Sequence, residues 1–443
     1  MKYIAIDKDI YIEKYVMNRY FLCISNTSDK YMINDVAYEI IKRIDGTRKY
    51  NELFKELADL YKDTEENVAI NVNEFISQLE DCYNLYIEEY DLQRPKEIKV
   101  IGEVSYFPQA ASIEITESCN LKCLHCYGGF GEGCTNVMSL DNIKKVIDDL
   151  DSIGVKTLEL TGGDISTHAG LKEVIEYALS LSFIRINLLT NGIILKDEVI
   201  DLIVKHKDKI EIQIDLHSLN DDYLFWFTKC KNSIEIIKGR IEYFLSKNVK
   251  MRIATIFTSR NLNEFMDIAE WLGKRNLKWG IGLVEKLGRA IESDKSLYLD
   301  YQQIVSFQKM IEKANFLYPG MISFIDYHPN DCNCGAMTSH VVIDSYGRIK
   351  LCTMDNGTYF NNKMGNCISK NIQENYKDNL EFIKALTTYQ IPNEESKECY
   401  DCKEYYACGH CLLRNFINMK EKKYNCEWYK KNVPEIVKEF FFN

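Results

Sequence analysis

The sequence predicts an α/β protein: a parallel sheet of six βα repeats, with a small winged-helix module in front and a cysteine-rich module behind. Three observations carry this prediction. Between residue 111 and about residue 285, short β-rich runs alternate six times with helical periodicity, and repeated βα units fold as a parallel sheet. The first ninety-odd residues show strand-like alternation followed by three helical patterns. After about residue 325 the periodicity weakens, and cysteines and turn residues take over.

The chain has 443 residues, 46% of them apolar and 12% aromatic, which suffices for about three domains with filled cores. It shows no apolar run of membrane-spanning length, and the charged opening MKYIAIDKDIYIEKYV lacks the clean apolar stretch of a signal peptide. A cytoplasmic protein without a membrane partner is therefore expected. The formal net charge of −11 counts against a nucleic-acid partner, because such affinity rests on clustered Lys and Arg neutralising phosphates.

In the front module, YIEKYVMNRYFLCI and KYMIN alternate as strands do, and NDVAYEIIKRIDG then takes helical spacing, with Asn34 or Asp35 able to cap it and Gly46 able to stop it. Two further helical patterns, NELFKELADLYKD and NVAINVNEFISQLEDCYN, precede a short strand-like LYIEEY. DLQRPKEIKVIGEVSYFPQ, with Pro95 and Pro108, reads as a linker. The boundaries expected from this are 1–95, 110–320 and 325–443. The six strand runs are SIEIT, TLELTGG, IRINLLTNG, IEIQIDLH, KMRIATIFT and KWGIGLV. In such sheets ligands sit at the carboxyl ends of the strands, and two unusual stretches fall there: CNLKCLHC after the first strand and TGGD at the end of the second.

Sixteen cysteines in a reducing compartment point to metal or redox chemistry rather than disulfides. Cys119, Cys123 and Cys126 form one group. Cys332, Cys334, Cys352, Cys399, Cys402, Cys408, Cys411 and Cys426 form a second, expected to fold around metal rather than a large apolar core. Cys23, Cys82, Cys134, Cys230 and Cys367 stand alone and read as small buried hydrophobes. A cubane cluster takes one thiolate per iron, so three cysteines leave one iron open to a small molecule. The competing reading is zinc, which needs four protein ligands in a structural site, with His125 as the fourth.

CNLKCLHC, followed by the aromatic Tyr127, resembles the CxxxCxxC motif of radical S-adenosylmethionine (SAM) enzymes. That resemblance implies a partial (β/α)6 TIM-like barrel and a cluster whose open iron binds SAM. SAM is then cleaved to a 5′-deoxyadenosyl radical that abstracts a substrate hydrogen. Carried over position by position, Gly162, Gly163 and Asp164 of TGGD resemble the element that holds the SAM amino group, with Asp in place of the usual Glu. Asn191 lies in the LTNG turn, Asp215 resembles the fourth-strand ribose contact, and Arg252 the fifth-strand Arg that pairs with the SAM carboxylate. Taken singly, each of these charges reads as a solvated strand end.

The spacings C-x12-G-x4-C (Cys334, Gly347, Cys352) and C-x2-C-x5-C-x2-C (Cys399 to Cys411) resemble the SPASM extension, which carries two auxiliary 4Fe-4S clusters. The match implies Cys399, Cys402, Cys408 and Cys426 for the second auxiliary cluster and Cys334, Cys352 and Cys411 for the first. The usual pattern has three residues, not two, between Cys408 and Cys411. Cys332 has two readings: a fourth ligand of the first auxiliary cluster, or a spare beside an open iron. Zinc ribbons would also use C-x2-C pairs.

The stretch DKYMINDVAYEIIKRIDGTRKYNELFKELAD resembles PqqD-like domains that bind leader peptides. A DNA-binding winged helix has the same outline, but 12 Lys plus Arg against 19 Asp plus Glu through Pro95 disfavours it. Together these likenesses imply a maturase of ribosomally made peptides, of the sactipeptide type that joins cysteine sulfur to carbon. Its implied partners are a precursor peptide and a reducing donor such as flavodoxin or ferredoxin. A carbon-carbon crosslink or another oxidation is the alternative product, and a non-enzymatic cluster or zinc protein the remote one. Glu285, just after the sixth strand, is the candidate general base.

Overall fold

The computed structural model describes residues 2–15, 19–25, 30–133, 135–293, 295–322, 333–355, 363–392, 396–402, 408–409, 411–422 and 425–442. They fall into two compact units, Met1–Tyr106 and Phe107–Asn443. Cys332 and Cys134 lie outside the described residues.

The first unit runs β1 (Tyr3–Ile6), β2 (Ile10–Tyr15), β3 (Arg19–Ile24), β4 (Lys30–Ile33), α1 (Asp35–Ile41), β5 (Asp45–Lys49), α2 (Tyr50–Tyr61), α3 (Glu65–Tyr83), β6 (Ile87–Tyr90) and β7 (Lys99–Ser105). Its sheets have the orders β5-β1-β6 and β4-β3-β2-β7, packed with the helices around Ile4, Ile12, Leu22, Ile41, Leu53 and Leu79. Asn34 is the cap of α1, its Oδ1 accepting from Ala37 N at 2.7 Å. The helix ends at Ile41 rather than at Gly46, because Asp45–Lys49 pairs with β1. Gly46 serves that strand instead: its φ is +79°, and an added Cβ would lie 1.9 Å from Arg94 O. The expected linker is partly strand, since β7 pairs in parallel with β2, and this extends the front unit to residue 106.

The second unit begins with β8 (Ala110–Thr116), α4 (Leu140–Ser152), β9 (Thr157–Gly162), α5 (Leu171–Leu179), β10 (Arg185–Thr190), α6 (Asp197–Lys205) and β11 (Ile210–Asp215). It continues with α7 (Asp221–Thr228), α8 (Ser233–Ser246), β12 (Lys250–Phe257), α9 (Phe265–Gly273), β13 (Lys278–Leu283) and α10 (Tyr301–Leu317). Strands β8 to β13 are all parallel and neighbour one another in chain order, as six βα repeats require. Burial alternates along β11 and β12, so one face lies under the helices while the other lines the barrel interior. Helix α4 shows the matching pattern, burying Ile143, Val146, Ile147 and Leu150.

The cysteine-rich segment is not a separate compact unit, because β14 (His340–Ile343) hydrogen-bonds in parallel to β8 and forms a hairpin with β15 (Ile349–Lys350). Nor does it lack an apolar core. Helices α11 (Ile372–Asp378), α12 (Leu380–Thr388), α13 (Leu412–Lys422), α14 (Glu427–Asn432) and α15 (Glu435–Phe442) bury Tyr376, Phe382, Leu386, Phe416, Met419 and Val437. Phe382 stacks on Phe440 at 3.7 Å, and Phe416 lies 3.9 Å from Phe441. Among the described residues no helix is long and apolar enough to cross a membrane.

Candidate active site

The cysteine loop leaves β8 at its carboxyl end and is held there by backbone contacts. Gly163 N donates to Thr116 O at 2.7 Å, and Asp164 N donates to Ser118 O at 2.9 Å. An added Cβ would come within 2.2 Å of Thr116 O at Gly162 and 2.3 Å of Ser118 O at Gly163. The glycines of TGGD thus let two strand ends touch. A ligand ammonium only donates, so what the backbone of this strand end can offer it is carbonyl oxygen.

Arg289 clamps the loop from the other side. Its Nη1 donates to Cys123 O at 2.7 Å, and its Nη2 donates to Gly129 O at 3.0 Å and Phe130 O at 2.7 Å. Its backbone N–H reaches Cys126 O at 3.0 Å. Gly288, at φ +53°, passes so close that a Cβ would lie 2.1 Å from Tyr127 O. Sequence reading missed Arg289 because its partners are more than 150 positions away, with no local motif to announce them.

The three cysteines and every residue singled out for SAM line one cavity of about 510 Å³. Burial pushes the Cys119 thiol up to about 12 and raises that of Cys123 well above its ordinary value, so thiolates become favourable here only beside strongly positive charge. Asp215 is pushed up to about 7 by burial and by the neighbouring Asp164 charge, against Gln213 and Arg252. Arg252 holds its guanidinium on Gln213, Nε to Oε1 at 2.9 Å, across the β11–β12 register. Asn191 Nδ2 donates to Asn120 Oδ1 at 2.8 Å, inside the cysteine loop.

Asp164 is turned toward its own chain. Its carboxylate accepts from Ser166 N at 2.9 Å, Asn191 N at 2.8 Å and Thr190 Oγ1 at 2.9 Å. The short side chain ties the end of β9 to the end of β10. His125 is a stacking residue: its ring lies on Phe227 at 4.6 Å and 6°, with the His217 edge 5.0 Å away, and burial lowers it to about 4. Glu285 does not line this cavity. It forms an ion pair with Arg414 in a separate cavity of about 680 Å³ between the loop after β13 and α13, away from the strand mouth.

A buried ion pair stands behind the cysteine loop. Lys350 Nζ donates to Glu114 Oε1 at 2.7 Å, with side-chain exposures of 7% and 3%, and Tyr127 Oη donates to the same oxygen at 3.4 Å. Burial first, and then the charges of Glu114, Cys126 and Cys352, raise the Tyr127 hydroxyl well above its ordinary value. In the second cysteine group Cys352 lies near Cys411 and Cys334, and burial pushes its thiol up to about 12. Cys399, Cys402, Cys408 and Cys426 line a further cavity of about 340 Å³. Among the described residues no three His, Cys, Asp or Glu side chains converge on a single-ion position. The described cysteines of the two groups are spread rather than converging on one point, which suits clusters that take one thiolate per iron.

A parallel α/β barrel with a three-cysteine loop at its strand mouth defines a radical SAM enzyme, and the comparisons with known proteins agree. The model of the radical SAM superfamily matches residues 113–272, and that of coenzyme PQQ synthesis protein D (PqqD) matches residues 21–83. The chain therefore carries a radical SAM domain with a PqqD domain in front. It is 25% identical over 412 residues to the antilisterial bacteriocin subtilosin biosynthesis protein AlbA of Bacillus subtilis, covering 91% of this chain and 90% of that one. The sporulation killing factor maturation protein SkfB of the same organism is 24% identical over 250 residues, 55% of this chain and 60% of that one. The crystal structure of Streptococcus suis SuiB bound to precursor peptide SuiA shares the fold, with a TM-score of 0.60 at 14% identity over 94% of this chain and 97% of that one.

Proposed function

We propose that the protein modifies a ribosomally made precursor peptide by joining cysteine sulfur to carbon, and that the segment 325–443 is a SPASM-type extension holding two auxiliary clusters. The observation that carries the reading is the cavity lined, among the described residues, by three thiols. Cys119, Cys123 and Cys126 would hold a 4Fe-4S cluster with one iron left for SAM, and this pair, when bound, supplies hydrogen abstraction from carbon. The chain's own residues do the rest. Carbonyl oxygens at the end of β9 receive the ammonium, Arg252 receives the carboxylate, and Asp215 receives the ribose hydroxyls. Asp164, Asn191 and Arg289 keep these groups in place.

The relatives involved in subtilosin biosynthesis and sporulation killing factor maturation support the thioether product, and the PqqD domain supports a leader peptide. In the four-stranded sheet β7 closes one edge and β4 forms the other, where a leader could add a strand through backbone hydrogen bonds. A flavodoxin- or ferredoxin-type donor would supply the electron. The exposed Cys402 suits a reducing cytoplasm.

Anaerobic incubation with reductant, SAM and a Cys-containing precursor peptide, read by mass spectrometry, tests this. A loss of two hydrogens per crosslink, with matched 5′-deoxyadenosine and consumption of the peptide thiol, is expected. The same mass loss with the thiol intact would replace the thioether by a carbon-carbon bond. SAM cleavage with an unchanged peptide would remove the assigned substrate.

A further inference from the structure

The cavity lined by Cys399, Cys402, Cys408 and Cys426 is also lined by three asparagines that the proposed reaction does not use, and two of them, Asn415 and Asn418, are carried by one helix. They stand three apart on α13 and so share a face. Asn418 Nδ2 donates to Cys408 Sγ at 3.3 Å. Asn415 is 1% exposed, and its Oδ1 accepts from Tyr389 Oη at 2.6 Å. That bond fixes the amide with its oxygen to the tyrosine and its nitrogen away from it. Tyr389 is itself held, 2% exposed, with its carbonyl accepting from Asn333 Nδ2 at 2.7 Å. Asn415 Nδ2 has no partner at hydrogen-bond distance among the described residues. A buried N–H left unpaired costs about 1–3 kcal/mol, which makes sense where its acceptor belongs to a bound group.

We propose that Asn415 and Asn418 donate hydrogen bonds to sulfurs of the cluster held by these four cysteines and thereby raise its reduction potential. This rests on the reading of the four as cluster ligands. One-electron reduction adds a negative charge spread over iron and sulfur, and N–H donors stabilise the reduced form more than the oxidised one. The proposed reaction leaves such an electron over. The peptide carbon gives up a hydrogen atom to the SAM-derived adenosyl group, the thiol gives up a proton, and closing the carbon-sulfur bond releases one electron. A site with four thiolates has no open iron, so it serves as a carrier, reduced by one electron. Tyr389 is a positioning residue that presents the Asn415 amide.

The test uses the full chain, reconstituted anaerobically, with Cys119, Cys123 and Cys126 changed to Ala so that only auxiliary clusters report. Midpoints are read by paramagnetic resonance during titration with dithionite. Asn415→Leu and Asn418→Leu should each move one midpoint to more negative potential at unchanged iron per chain, and Tyr389→Phe should move the same one by less. Unmoved midpoints in all three variants at full iron would overturn the proposal. If Asn415→Leu does not fold, Tyr389→Phe still decides, since it leaves the cavity wall intact. A Cys399→Ala/Cys402→Ala double variant that keeps all its iron would instead remove the cluster reading itself.

Discussion

The two cysteine-lined cavities of the second unit are held in opposite ways. The three-thiol cavity is fixed through the backbone: glycines 162, 163 and 288 let strands and loop touch, and Arg289 grips three carbonyls. Its remaining wall is made of strand-end side chains. The four-thiol cavity is fixed through side chains borne by helices, with Asn418 on Cys408 and Tyr389 on Asn415. A site that must leave one iron open divides the side chains facing it: Asp164, Asn191 and Arg289 tie the strand ends and the loop together, which leaves Asp215 and Arg252 for the ligand.

The largest effect should come from the first thiol set. Cys126→Ala should abolish 5′-deoxyadenosine formation while the second group keeps its iron, as measured by product chromatography beside iron and sulfide analysis. Loss of all iron would mean that the two sites do not assemble independently.

Next in size is the buried ion pair of Lys350 with Glu114. Lys350→Met strands the Glu114 carboxylate in the interior, which typically costs about 3–5 kcal/mol. Burial raises the Glu114 pKa, so the neutral carboxyl is the form the fold accepts. The variant's stability should therefore be best below the ordinary carboxylate range and fall as pH rises through the raised value. Thermal unfolding across pH would show this slope, and adding Glu114→Gln should flatten it. A pH-independent deficit would place the cost elsewhere.

The clamp comes third. A hydrogen bond to a charged group contributes about 1.5–3 kcal/mol net of exchange with water, and a Gln amide can keep part of the clamp, so Arg289→Gln should cost roughly 2–3 kcal/mol and act locally. Iron at the three-thiol site should be lost to a chelator faster, while iron at the other sites is lost at the original rate. Arg289→Lys, which keeps the charge but not the fork, should fall between. Equal acceleration at every site would mean that Arg289 supports the fold at large rather than the loop.

What was legible in the sequence follows the same division. The six strands and their helices could be read because burial there is periodic and local, as in Ile143, Val146, Ile147 and Leu150. The residues proposed to face SAM could be grouped from the sequence because they sit at strand ends beside turns, and they line one cavity. Helix α10 was missed although Asp300 and Gln303 form a capping box, a signal present in the sequence. The apolar core of the tail was missed because its contributors, such as Phe382 and Phe440, are far apart in the chain and each helix is short. Arg289, and Lys350 with Glu114, were invisible for a different reason: a single long-range contact leaves no period.

The smallest effect tests the cost of keeping a wall free for a ligand. Asp215 has a folded pKa of about 7 against an ordinary 3.8, so the fold favours its neutral form. That stabilisation is complete below 3.8 and is lost as pH rises through about 7. In ligand-free protein Asp215→Asn should therefore be neutral to stability at low pH. At pH 8 it should stabilise by about 1–2 kcal/mol, less than a dry site would give, because the cavity admits water. SAM binding should weaken, since an amide is a poorer acceptor for ribose hydroxyls than a carboxylate. Opposite signs for stability and affinity, read by thermal unfolding and titration calorimetry, would mark Asp215 as a ligand-facing group. A variant that lost both would make it part of the scaffold, like Asp164 beside it.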